Sequence, residues 1–200
     1  MKKKILIFVI VLLNISTFFA QKIPAYFISN NNVTTKIYLD DSKGFFKQGI
    51  DIEKFQHRIK YYDSNNEKHF LYPNMAKEIN FMYEGKAVQM LSRIMPDGSL
   101  SFIQIVIDGK IKVFKRYITR HISSGGGMYG APMTTFSYDV EKFYLQRDNE
   151  MLFRPIGVSF KKDMIEYFYD CPNVVKKIEE RIFTIKDIEK IVYEYNETCM

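Results

Sequence analysis

Two cysteines, three histidines and a scatter of carboxylates are the residues of this 200-residue chain whose types could do chemistry. Cys171 stands just before Pro172 at the start of one predicted helix, and Cys199 just after the end of another. If Pro172–Ile182 and Ile185–Asn196 form an antiparallel hairpin, their lengths of roughly 16 and 18 Å at 1.5 Å per residue match. The two thiols then lie side by side and pair in an oxidising compartment. Closing a loop of that size contributes about 3–4 kcal/mol in the chain-entropy account. The competing chemistry is a reactive thiol, because a helix N-terminus lowers a thiol pKa. A secreted single domain with two cysteines favours the structural bridge.

The histidines do not converge in sequence. In a hairpin turning at Asn65-Asn66, His69 pairs with Tyr62, and His57 sits about 17 Å further along the other strand on the opposite face. His57 falls on an apolar stripe and reads as a hydrogen-bonded core residue, and His121, beside Arg120, as a solvated strand end. No metal-ligand spacing is recognisable, so neither a metal nor a cofactor is expected. There is no Gly-x-Ser-x-Gly elbow, and neither cysteine has a protease-like context. Asp40-Asp41, Asp51, Glu53, Asp163, Glu166 and Glu179-Glu180 could supply a convergent pair as in a glycosidase, which keeps a secreted carboxylate-dependent hydrolase as the alternative function. The run from Ser123 to Met133 is glycine-rich but lacks the Gly-Lys-Ser/Thr ending of a phosphate loop. Its apolar residues Met128, Tyr129 and Met133 are unusual in a mere connection and form a candidate partner-binding loop.

The elements that must position these residues lie downstream of a leader. Met1–Ala20 combines Lys2-Lys3-Lys4, the apolar run Ile5–Leu13 and a small residue at Ala20, the pattern of a secretory signal peptide. The apolar run breaks at Asn14, short of the roughly 20 residues a membrane span needs, so a membrane role is limited to the leader itself if it stays uncleaved. Cleavage removes three lysines and lowers the formal charge from +6 to +3. Nucleic acid is therefore not an expected partner. The aromatic content of 16% without tryptophan favours sheet.

Residues 21–156 read as a β-rich domain. Ala25–Ile28 and Thr35–Leu39 flank an asparagine turn, and Phe55–Tyr62 alternates as a strand turning into Lys68–Tyr72. Ile79–Tyr83 and Val88–Met95 follow. Asp108-Gly109 marks a hairpin between Phe102–Ile107 and Lys110–Phe114, the former apolar on both faces. Thr135–Arg147 pairs with Glu150–Pro155. From residue 157 to 200 the period turns helical, with Phe160, Met164 and Phe168 four apart, then Val175, Ile178 and Ile182 after Pro172. Thr184 and Asp187 resemble a capping box ahead of Ile185–Tyr195. The expected class is α+β: a mainly antiparallel sheet, open or curled into a barrel or roll, followed by three short helices packed on it.

Phe19-Ala20-Gln21, Tyr83-Glu84-Gly85-Lys86, the Gly/Met-rich loop, Phe143-Tyr144-Leu145, Phe168-Tyr169-Asp170-Cys171-Pro172 and Tyr195-Asn196-Glu197-Thr198-Cys199 together resemble an uncharacterised family of secreted proteins of Bacteroidetes-type bacteria. That resemblance implies export to the periplasm or cell surface and no known activity. The expectation is a non-catalytic binding or accessory module of the cell envelope, with an envelope protein or glycan as partner.

Overall fold

The computed structural model describes residues 22–40, 52–83, 85–124 and 134–199. Nine strands form one antiparallel sheet in the order β4-β3-β2-β1-β5-β6-β7-β8-β9. They are β1 (Lys22–Ser29), β2 (Thr34–Asp40), β3 (Ile59–Tyr62), β4 (Lys68–Leu71), β5 (Ala76–Tyr83), β6 (Lys86–Ile94), β7 (Leu100–Ile107), β8 (Ile111–Ser124) and β9 (Thr134–Arg147). The sheet is open, with β4 and β9 at opposite edges, so the barrel variant of the expectation does not hold. The α+β class and the C-terminal helices do: α2 (Phe160–Tyr167), α3 (Pro172–Glu179) and α4 (Ile188–Thr198), the last preceded by a 3-10 turn at Ile185–Asp187.

Alternation along each strand sorts side chains to two faces. One face carries Ala25, Ile37, Leu39, Ile79, Phe81 and Met90, joined by Phe55 and Phe102 in a continuous core. Further along the same sheet, Ile111, Val113 and Leu145 receive Phe160, Met164, Phe168, Val174, Ile178, Ile191 and Tyr195 from the helices. Tyr195 and Phe168 are fully buried and meet edge to face at 5.2 Å, a geometry that aromatic quadrupoles favour. The opposite face has a smaller core of Leu91, Ile103, Phe114, Tyr144 and Leu152. Phe102 and Ile103 are both fully buried, so β7 is covered on both sides.

Two strand assignments change. Phe55–Arg58 are not in a strand: Ile52–Phe55 is a single helical turn, α1, and only Ile59–Tyr62 pairs. Alternation over so few residues does not distinguish a strand from a turn that seats one side chain in the core. The return after β9 reduces to one bridge, Leu145 with Phe153.

The short helix α1 acts as a wedge. Beyond Lys115, β8 parts from β7, whose pairing ends at Gln104 with Lys115 on that side. The side-chain amide of Gln56 fills the gap as a strand residue would. It donates from Nε2 to the Tyr117 carbonyl at 2.7 Å and accepts the Tyr117 N–H at Oε1 at 2.8 Å. The Gln56 carbonyl accepts the Phe102 N–H at 2.9 Å and the Ser101 hydroxyl at 3.0 Å. Gln56 is 1% exposed, and these bonds satisfy what burial would otherwise penalise. Past the wedge, β8 and β9 continue as a two-stranded ribbon paired to Ser124 with Thr134.

Candidate functional site

Cys171 and Cys199 form a disulfide across 28 residues, with Cα atoms 5.6 Å apart. The expected bridge is present and joins the start of α3 to the end of α4, although α3 ends at Glu179 rather than Ile182 and α4 begins at Ile188 rather than Ile185. Its neighbours are structural. Arg147, at the end of β9, grips Asp170 with both guanidinium nitrogens at 2.6 and 3.1 Å and donates to the Tyr167 carbonyl at 2.7 Å. The Tyr195 hydroxyl accepts from Arg147 at 2.7 Å and donates to Asp170 at 2.6 Å. Those bonds, the Arg147 fork first, pull the Asp170 carboxyl down to about 2. Asn196 accepts the Ile111 N–H at 3.0 Å and donates to the Ile111 carbonyl at 2.9 Å. The Asp170-Cys171 and Tyr195-Asn196…Cys199 motifs thus lock the helices onto β8 and β9.

Other residues singled out in the sequence are scattered. Met128, Tyr129 and Met133 lie outside the described residues. Among the carboxylates, Glu53 accepts the Thr119 N–H at 3.0 Å and the Thr119 hydroxyl, which holds α1 on β8. Asp163 accepts from the Ser159 hydroxyl, and Glu180 pairs with Lys176 at 3.9 Å. His57 is exposed and is not a core residue, because the helical turn places Gln56 inward in its stead. His69 faces Tyr61, one residue away from the expected partner.

The cause of that register is Asp63. Its Oδ1 accepts the N–H groups of Asn65 and Glu67 at 2.9 and 2.8 Å, and Asn66 takes a left-handed φ of 66°. These hold a wider turn than the two residues Asn65-Asn66 would make. Backbone bonding from Glu67 is the main influence that lowers the Asp63 pKa. The turn also gathers Asp63, Glu67 and His69, whose potential ligand atoms all lie within 4.8 Å of one another. Asp63 Oδ2 meets His69 Nε2 at 3.3 Å, and Tyr61 stacks on the imidazole at 5.3 Å. This Asp-x3-Glu-x-His grouping was not singled out in the sequence, since a one-residue error in register puts His69 on the wrong side of the strand.

Among the described residues, nothing covers the face opposite the main core over β2-β1-β5-β6. There a groove of about 520 Å³ is lined by Pro24, Tyr26, Lys36, Asn80, Met82 and Ala87, among others. The register places Tyr26 between Lys36 and Asn80, Pro24 beside Tyr38, and Met82 beside Ala87. Tyr26, Tyr38 and Met82 are 42%, 41% and 54% exposed. Asn80 donates to Glu78 at 2.9 Å and Gln89 donates to it at 3.3 Å. Glu78 also lines a second, more polar groove of about 540 Å³ with Asn30, Lys77, Ser92 and Arg93. It is the one carboxylate in the two groove linings, and both its oxygens are engaged. No facing pair of acids lines either groove.

Fold and site together define an open antiparallel sheet with helices at one end and an exposed aromatic face at the other. No family model, curated protein or solved structure matches the chain.

Proposed function

We propose that this chain is a non-catalytic binding or accessory module of the cell envelope, exported to the periplasm or cell surface, with an envelope glycan or protein as its partner. The observation that carries the reading is the uncovered face at Tyr26, Tyr38 and Met82. Exposed apolar side chains such as Tyr26 and Met82 that share a groove with the amide of Asn80 are what a recognition surface offers, whereas scattered single apolar residues would mean little. The leader pattern and the Cys171–Cys199 bridge support export, since disulfides persist in oxidising compartments.

The test is cosedimentation of the purified protein with envelope polysaccharide and, separately, immobilisation on solubilised envelope proteins, wild type against Tyr26→Ser/Met82→Ser. Retention on one material that the double variant loses while keeping its melting temperature supports the reading. Retention by neither, or equal retention of both proteins, overturns it.

A further inference from the structure

The ribbon's first half concentrates positive charge on one face. Arg116 and Lys142 are directly paired across β8 and β9, and Arg120 pairs with Tyr138 four residues further along β8. With a period of two, Arg116, Ile118 and Arg120 share the face of Phe114, and Lys142 and Tyr138 share that of Tyr144. The Leu145–Phe153 bridge sets Arg154 alongside Tyr144 on the same side. Four cations therefore meet beside the small outer core of Leu91, Phe114, Tyr144 and Leu152.

Like charges directly opposite in a sheet are destabilising. Here the arrangement is also partly dry. The Arg116 side chain is 14% exposed, and its Nε is buried with no hydrogen-bond partner. Its one carboxylate within 4.0 Å among the described residues, Asp97, stands off at 3.9 Å and is itself mostly exposed. Lys142 is partly buried, and desolvation followed by the charges of Arg154, Arg120 and Arg116 lowers its pKa. Among the described residues no carboxylate lies within 4.0 Å of Arg120, Lys142 or Arg154, while Lys115 on the other face of the ribbon has Glu141 at 3.1 Å and Glu189 at 3.9 Å. Among the described residues, Lys115 is thus paired with acids on one side of the ribbon, while Arg120, Lys142 and Arg154 on the other side are not.

We propose that Arg116, Arg120, Lys142 and Arg154 form a binding site for a phosphate-bearing anion. Three guanidinium forks and an ammonium suit a multiply charged, multi-oxygen group, because arginine bonds phosphate through two parallel N–H groups. A single carboxylate would neutralise only one of the four. The site goes beyond the exposed groove on β2-β1-β5-β6 and does not depend on it. A soluble phosphate ester and a lipid headgroup share this chemistry.

The probes are inorganic pyrophosphate, titrated calorimetrically into the purified protein at ionic strength held constant with sodium chloride, and phosphatidylglycerol/phosphatidylcholine vesicles against phosphatidylcholine alone. Arg120→Gln and Lys142→Gln each remove one charge at a position that is exposed or partly so. Saturable pyrophosphate binding, weakened roughly tenfold by each variant, places the site and its ligand in solution. Retention on phosphatidylglycerol vesicles alone, lost in both variants, identifies the headgroup as the source. Lys142→Gln should also raise the melting temperature without any anion, because it relieves repulsion. Binding to neither probe, or binding that both variants leave unchanged, overturns the proposal.

Discussion

A Cβ on Gly109 would collide with Nδ2 of Asn196, a side chain 87 positions later in the chain. The Asp108-Gly109 turn is therefore fixed by a helix as well as by its own backbone. Gly109 has no positive φ, so the demand there is for room. Gly109→Ala should displace Asn196 from its two bonds with Ile111 and cost about 1–3 kcal/mol. Urea unfolding of Gly109→Ala in wild-type and Asn196→Ala backgrounds measures the coupling. An equal penalty in both backgrounds would refute the link.

Gln56→Ala should leave the Tyr117 peptide without partners on the β7 side. The expected loss is about 2–4 kcal/mol, from two buried groups left unsatisfied. Hydrogen exchange reads it locally: protection at Tyr117 should collapse while β1 and β5 keep theirs. Unchanged protection at Tyr117 would show that β8 does not need the wedge.

Acid should release the helices through Asp170. Its pKa is about 2 in the fold against an ordinary 3.8, so its contribution is fully present above about 3.8 and is lost as pH falls through about 2. Asp187, drawn down to about 2 by Lys190 and Thr184, acts in the same direction. Asp170→Asn should therefore flatten part of the fall in melting temperature between those values. A profile parallel to wild type would mean that the Arg147 fork adds no pH-dependent stability.

Cys199→Ser should lower stability by about 3.5 kcal/mol, the chain-entropy value for a 28-residue loop. Thermal unfolding under oxidising conditions, compared with the reduced wild type, checks it. If the melting temperature does not move, the bridge is not constraining the unfolded chain.

Much of the fold is legible in local pattern. The Asp-Gly hairpin, the doubly buried β7 and the Phe160–Met164–Phe168 stripe are each encoded within a few residues of themselves. The Thr184/Asp187 capping box is present too, with Asp187 accepting the Thr184 N–H at 3.1 Å. The disulfide is legible because Cys171 starts one helix and Cys199 ends the other, even though both helices are shorter or shifted relative to the pattern. Most of what escaped depends on side chains that bond backbone outside their own element. Ile52–Phe55 becomes a helical turn because Glu53 and Gln56 find Thr119 and Tyr117, more than 60 positions later. His69 shifts by one place because a single carboxylate, Asp63, widens a turn. The cluster at Arg116 and Lys142 exists only once the β8–β9 register is set, and no window of sequence contains both ends of that pairing together with Arg154.

The free flank of β9 matters when molecules are crowded. Apart from the Leu145–Phe153 bridge, β9 pairs only with β8 among the described residues, so a neighbour's strand has a row of peptide groups to join. Two copies approaching flank to flank would bring two Lys142 ammonium groups and their arginine companions together. The same crowding of positive charge should therefore oppose flank-to-flank association, and neutralising it should let chains zip into longer sheets. Faster growth of light scattering for Lys142→Gln at high concentration is the expected sign, and identical traces would mean that the flank is guarded by something else.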